Sequence, residues 1–383
     1  MWWILKKLLV ALLSLTLLVS GCGKTGTENA VKDFTSKVND SKSYTLKGNM
    51  EIYADEETFT YSLEINFLKD YFYKVKMVNQ TNNHEQIILR NTDAVYVITP
   101  SLNKSFKFQS EWPENSSQAY ILSSITTDMN NDAETKVEEV DGNFVIKSKV
   151  NYPNNPELSY QKITVDKDNK IKKTEIYDEK DALKMKVTFT SVEYNTNLKE
   201  DDFKLEQYIK EDTNTKDTEN NQTNNQNKNE DCTDEETCKE QQECTGDDCE
   251  TDNAPCEGDA CDEETGAIEN ILYPLYVPSN TYLSSSDRVE TDIGDRIILT
   301  FGGEKNFVLV EEKAVMAEEF EIIPVYGDPL IVNDIIGALG ANSLTWTKDN
   351  ISYYLAGNDL TTAELLAIGE SVGYNNQTVS AEK

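Results

Sequence analysis

"TFTYSLEINF", residues 58–67, places Phe59, Tyr61, Leu63, Ile65 and Phe67 at every second position, with Thr60, Ser62, Glu64 and Asn66 between them. Side chains of an extended chain point alternately to its two sides, so this spacing makes one apolar and one polar face, as in an antiparallel strand buried on one side. A helix would need its apolar residues three and four apart. The period of two recurs in both directions. Upstream, "YTLKGNMEI" (44–52) aligns Tyr44, Leu46, Met50 and Ile52, and downstream "YFYKVKM" (71–77) aligns Tyr71, Tyr73, Val75 and Met77. "QIILRN" (86–91), "AVYVIT" (94–99) and "SFKF" (105–108) continue the meander across the polar turns Asn82-Asn83 and Asn91-Thr92-Asp93. "TKVEEV" (135–140) and "NFVIKSKV" (143–150) flank the hairpin signal Asp141-Gly142. "SYQKITVD" (159–166), "KIKKTEIYD" (170–178) and "LKMKVTFTSVEY" (183–194) complete about ten strands in one antiparallel sheet. Two stretches carry a helical period and can cover one face of that sheet. These are residues 28–39, with Val31, Phe34 and Val38, and residues 116–129, with Ala119, Leu122, Ile125 and Met129. The expected class is α+β.

Towards the C-terminus, "DRIILTF" and "NFVLVEE" read as a hairpin across Gly302-Gly303-Glu304-Lys305, and "SLTWTK" and "ISYYLA" as another across Asp349-Asn350. Thr361 with Glu364 makes a capping box for a last helix bearing Leu365, Leu366, Ile368 and Val372. Trp346, Tyr353 and Tyr354 either form an aromatic patch or divide between core and surface as alternate strand residues do.

Between these two parts the composition changes. From Glu211 to Gly266 there are 20 acidic residues against 3 Lys, about half of the chain's net charge of −33, and no Leu, Ile, Val or aromatic residue. Such a segment cannot offset the entropy of ordering, which predicts a disordered linker over residues 209–266. Six Cys lie in it: Cys232, Cys238, Cys244, Cys249, Cys256 and Cys261. No C-x-x-C pair occurs and the chain's one His is far off, so the spacing speaks against zinc. The acidic runs lack the EF-hand spacing for calcium. An even count in an exported chain favours disulfides, with the pairing open.

The N-terminal "MWWILKKLLVALLSLTLLV" has Lys6 and Lys7 ahead of an apolar run, the grammar of an export signal. "SGCGKT" (20–25) superficially matches the end of a phosphate-binding loop, but Leu18 stands where that motif needs Gly, and no apolar helix follows. Val19-Ser20-Gly21-Cys22 resembles instead the lipobox of bacterial lipoproteins, which implies cleavage before Cys22 and acylation of Cys22. Two or more acyl chains hold a protein stably in a bilayer where one does not. The expected organisation is a signal peptide (1–21), a lipidated tether (22–27), a sheet domain (28–208), the acidic linker (209–266), a smaller α+β module (267–372) and a disordered tail (373–383). The expected location is the extracytoplasmic face of the cell membrane. A net charge of −33 repels nucleic acid, which is excluded as a partner.

Catalysis has little to rest on. Any Ser-His or Cys-His pair depends on His84, in the polar turn "TNNHEQ" (81–86), read as an exposed turn residue without a nucleophile motif beside it. Paired carboxylates of a glycoside hydrolase are the alternative, since acidic residues are abundant and their separation is invisible in sequence; no catalytic residue, metal site or cofactor is assigned.

A lipid-anchored antiparallel sheet wrapped on helices resembles the LolA/LolB lipoprotein-carrier fold. "SEWPENSSQAYILSSITTDM" (110–129) looks like the Trp-to-helix segment of the YdcC-like sporulation lipoproteins. "YPLYVPSNTYL" (273–283), "ILTFGGEKNFVLVEEK" (298–313) and "SLTWTKDNISYYLAGNDLTTAELLAIGESV" (343–372) resemble that group's C-terminal module. The resemblance implies a curved sheet with an acyl-binding concave pocket. Phe59, Tyr61, Leu63 and Ile65 would face such a pocket, or pack as filled core. It also implies a non-catalytic binding or scaffolding role at the cell envelope in sporulation or germination, since the group includes lipoproteins that bind and activate a cell-wall amidase. The implied partners are the bilayer, through Cys22, and an envelope protein such as a peptidoglycan amidase. The alternatives are carriage of a lipid or lipoprotein, and an envelope-stress sensor similar to the two-domain RseB regulators. The Cys-rich acidic linker departs from the family pattern.

Overall fold

Residues 25–54, 57–209 and 268–373 are described in this computed structural model. Cys22, the signal segment, the six linker Cys and the C-terminal tail lie outside the described residues. Helix α1 (Thr25–Asp40) precedes β1 (Ser43–Ala54), β2 (Glu57–Leu68), β3 (Phe72–Asn79), β4 (Glu85–Arg90), β5 (Val95–Thr99) and β6 (Lys104–Phe108). Helix α2 (Leu122–Asn131) follows, then β7 (Lys136–Val140), β8 (Asn143–Lys149), β9 (Leu158–Val165), β10 (Ile171–Asp178) and β11 (Leu183–Tyr194). The C-terminal part holds β12 (Thr281–Thr291), β13 (Gly294–Gly303), β14 (Phe307–Lys313), β15 (Glu321–Val325), β16 (Gly327–Val332), β17 (Ile335–Gly340), β18 (Ser343–Lys348), β19 (Ile351–Ala356) and α3 (Thr362–Ser371). The α+β class expected from the sequence is the one observed.

The first sheet has twelve strands in the order β15-β6-β5-β4-β3-β2-β1-β11-β10-β9-β8-β7. Eleven come from the region where alternation suggested about ten. The twelfth, β15, comes from the C-terminal part and pairs with β6 in parallel, the one departure from an antiparallel sheet. At its centre Met50 of β1 faces Tyr61 of β2 on one side and Val187 of β11 on the other. Phe34 and Val38 of α1 and Leu122, Ile125 and Met129 of α2 are buried against Leu46, Ile65, Val75 and Val187. Each such side chain contributes about 1.5–3 kcal/mol by leaving water.

Two strands depart from simple alternation. In β4 and β5, Ile87, Ile88 and Leu89, and Val95 through Ile98, are all buried. Their second face is covered by Phe203 and Leu205, from 3-10 turns after β11. A strand packed on both faces reads as a continuous apolar run. Tyr71, grouped by periodicity with Tyr73, lies before β3 and is exposed, so Phe72 is the first residue of that strand and is buried against Phe203. Helix α2 begins at Leu122 and not before Ala119, because the upstream amides are engaged elsewhere. Ser117 N–H donates to Asn151 O at 2.7 Å, and Gln118 N–H to Ser124 Oγ at 2.7 Å.

The second sheet runs β12-β13-β14-β19-β18-β17-β16 and contains both expected hairpins. Helix α3 starts at the expected capping box: Thr361 N–H donates to Glu364 Oε2 at 2.8 Å, and Glu364 N–H to Thr361 Oγ1 at 3.3 Å. Leu365 and Ile368 pack with Leu344 and Trp346 in this sheet's core. Trp346 and Tyr353 stack with centroids 4.9 Å apart, while Tyr354 is exposed, so the aromatic set divides as strand alternation requires.

Gly48 sits at a register shift between β1 and β11, where a Cβ would lie 2.3 Å from the carbonyl oxygen of Thr188. Both strands are held on their other sides. Gly48→Ala is therefore expected to destabilise the fold by about 1–3 kcal/mol. Thermal unfolding followed by circular dichroism measures this, and an unchanged midpoint would show that the strands can part.

Candidate functional site

The C-terminal part is bonded into the first sheet at named points. Ala317 N–H donates to Leu102 O at 3.0 Å and Asn103 Nδ2 to Ala317 O at 3.1 Å, just ahead of the β15–β6 pairing. Gln86 of β4, itself buried, uses both ends of its amide: Nε2 donates to Ile336 O at 3.0 Å, and Ile336 N–H donates to Oε1 at 2.7 Å. Tyr61 donates its hydroxyl proton to Asp334 O. Lys348 pairs with the buried Asp334 carboxylate at 3.1 Å and lies 5.4 Å from the centre of the Phe59 ring.

This junction encloses His84. The sequence made it an exposed turn residue; Thr81 to Asn83 are exposed, but His84 is half-buried, with Nε2 enclosed and without a hydrogen-bond partner. Burial pushes its pKa down, against the pull of Asp334 and Asp349. A neutral imidazole without a held partner is not arranged as a catalytic base.

Beside the junction lies a cavity of about 950 Å³. Ile52 of β1, Ile88 of β4, Met185 of β11 and Trp112 form an apolar floor, facing Leu330 and Ile331 of β16. Trp112 is fixed edge-on to Tyr73 at 6.1 Å, and its main-chain N–H donates to Ser110 Oγ at 3.0 Å. Asp328 of β16 reaches back across the junction: Asn115 Nδ2 donates to its Oδ1 at 2.8 Å, and Ser110 Oγ donates to the same oxygen. Asn115 Oδ1 and the Tyr152 hydroxyl, both on cavity-lining residues, are enclosed without partners. Among the described residues, no His lines the cavity.

One wall is a strap, residues 268–276, laid along the second sheet. Arg288 Nη2 donates to Ile268 O at 3.0 Å, and Ser371 accepts from Leu275 N–H at its carbonyl (3.3 Å) and from Tyr276 N–H at its hydroxyl (3.1 Å). Between them, Leu272 N–H meets both oxygens of the buried Glu311 at 3.1 and 3.2 Å. Burial raises the Glu311 pKa to about 7, and the bond from Leu272 only partly counters it. The strap leaves Tyr273, Leu275 and Tyr276 exposed, the last two at the cavity mouth.

Phe59, Tyr61, Leu63 and Ile65 stand elsewhere. Tyr61, Leu63 and Ile65 are buried in the core of the first sheet, with Phe59 packed against it, and none of the four lines the cavity. The space between sheet and helices is filled by Phe34, Ile121 and Ile125. Periodicity did not single out Gln86, Asn115 or Glu311 as site residues. Glu311 had a signal: it follows Phe307 and Leu309 at spacing two, on the buried face of β14.

A family profile described as "Sporulation protein YdcC-like" matches residues 5–203. Over 366 residues the chain is 32% identical to the sporulation protein YdcC of Bacillus subtilis (strain 168), covering 95% of each. Among solved structures, a chain of the Pseudomonas aeruginosa MucA/MucB complex is similar at 9% identity, with 89% of this chain and 98% of that one covered and a TM-score of 0.29. A chain from the CwlD amidase of Clostridioides difficile in complex with the GerS lipoprotein is similar at 17% identity, covering 44% and 95%, with a TM-score of 0.27. TM-scores this low carry no functional inference.

The raised pKa of Glu311 makes its ionisation costlier in the folded chain than in the unfolded one. Stability is therefore fully present below the ordinary carboxylate range and declines as pH rises through about 7. Glu311→Gln keeps an acceptor for Leu272 without the charge. It should match the parent near pH 4 and exceed it near pH 8 by on the order of 1–2 kcal/mol. Denaturant melts across that range decide it, and parallel pH profiles for the two chains would sink the account.

Proposed function

Because the chain belongs to the YdcC-like family of sporulation proteins, we propose that it is a non-catalytic binding protein anchored by acylated Cys22 to the extracytoplasmic face of the cell membrane. There it serves sporulation or germination by positioning or activating a cell-wall hydrolase of the amidase class. The anchor rests on the apolar run Leu8–Val19 ending at Val19-Ser20-Gly21-Cys22. The observation that carries the binding role is the junction cavity, about 950 Å³ of space walled by both parts of the chain and edged by the exposed Leu275 and Tyr276. Pockets of this size and apolar character receive ligands or partner segments. What lines it suits binding better than bond cleavage: Asn115, Tyr152 and Ser371 can hold a ligand, and the chain's one imidazole sits outside it, neutralised by burial.

Two measurements test this reading. Labelled palmitate should enter the parent chain in growing cells and not the Cys22→Ala chain, which should leave the membrane fraction. A photo-crosslinker at Tyr276 should then join the anchored protein to a peptidoglycan amidase in sporulating cells, and deleting the gene should lower the share of peptide-free muramic acid in spore wall. An unlabelled parent removes the anchor. Unchanged muropeptides with no amidase adduct remove the activation role.

A further inference from the structure

Four successive residues of β16, Asp328 through Ile331, border the cavity. Successive side chains of a strand point to opposite faces. A cavity touched by all four therefore lies against the strand's edge. β16 is the terminal strand of its sheet, with β17 as its hydrogen-bonded neighbour among the described residues. Every second residue of β16 turns its main-chain N–H and C=O away from β17, and Pro329 has no N–H to offer. Next to this edge, Asn115 Oδ1 is an enclosed acceptor with no donor, while its Nδ2 is already used by Asp328. An acyl chain would cover the Trp112 floor but leave the outward main-chain groups of the β16 edge unmet, at a cost for each. An extended peptide supplies apolar side chains and amide N–H groups together.

The charges point the same way. Glu157 and Asp328 stand on the wall, against Lys184, which already approaches Asp178 at 3.8 Å. A fatty-acid carboxylate or an anionic headgroup would meet carboxylates there, whereas a cationic ligand would meet opposite charge.

We propose that the junction cavity binds an extended peptide segment from a protein partner, with one or two apolar side chains on the Ile52–Trp112–Met185 floor, its main chain along the β16 edge, and Lys or Arg beside Glu157 and Asp328. This refines the binding role above, and the two fail separately, since peptide binding by the purified chain depends neither on an amidase nor on sporulation.

The full chain in lipid nanodiscs is titrated with an array of fluorescent twelve-residue peptides in which Leu, Phe or Val alternate with Lys. A matched array carrying Glu for Lys and a fluorescent fatty acid are titrated alongside. Lys peptides should bind saturably and Glu peptides about tenfold more weakly or worse. Ala367→Trp, which fills the cavity from α3, should weaken Lys-peptide binding by about tenfold or more. Glu157→Lys, on an exposed loop, should narrow the Lys-over-Glu preference, and it carries the test if the tryptophan variant melts early. Three results overturn the proposal: no saturable binding across the Lys array, equal binding of both arrays that is indifferent to Glu157→Lys, or fatty-acid binding that Ala367→Trp abolishes while peptides do not bind.

Discussion

The buried amide of Gln86 is the contact on which the junction turns. It bonds the main chain of Ile336 in both directions, at 3.0 and 2.7 Å, as a neighbouring strand would. Without that match, buried donors and acceptors on both sides would stand unpaired, at about 1–3 kcal/mol each. The contact also fixes register. Once Ile336 is held over β4, Ile336 and Ala338 join the core of the first sheet, β16 faces the ends of β1 and β11, and His84 is half-buried. Gln86 acts together with the β15–β6 pairing, the Tyr61–Asp334 bond and the Lys348–Asp334 pair in joining the two sheets.

The same junction explains where open space survives. Between the first sheet and its helices, Phe34, Val38, Ile121 and Ile125 fill the interior. The junction cannot be filled so well, because a sheet end, a sheet edge and a helix meet there with different periodicities. What remains is a space with an apolar floor, a polar strand edge and carboxylates on its wall, which is a different environment from the interior of a lipid carrier.

Among the described residues, many carboxylates are paired with lysine at the surface. Glu51 with Lys186 and Asp93 with Lys107 are held below the usual carboxylate range, first by the hydrogen bond from the lysine. Such exposed pairs add little stability. Glu311 and Asp128 behave in the opposite way. Asp128 of α2 accepts from Gln161 at 3.2 Å, yet burial pushes it up to about 6. Glu311 sits under the strap and Asp128 lies on α2, next to segments that contribute residues to the cavity lining.

Much of this molecule was legible as local pattern. Alternation in "TFTYSLEINF" and its neighbours yields an antiparallel sheet, because which side a strand buries is written in every second residue. The Thr361–Glu364 cap and the hairpin turns at Asp141-Gly142 and Asp349-Asn350 are likewise local and stand where expected. Glu311 could have been read from its place behind Phe307 and Leu309. Gln86, Asn115 and the true surroundings of His84 could not, since each is defined by residues more than two hundred positions away. Nor could β15 be assigned to β6: a parallel partner across such a separation leaves no periodic trace, and Pro324 weakens the strand's own signal. The sequence by itself determined the strands β1 to β11, the two C-terminal hairpins and which of their faces are apolar, because those depend on neighbours along the chain; it did not single out β12, β15, β16 or β17. Only the tertiary structure decided where the sheets meet and what space they leave, because that depends on how two finished surfaces fit.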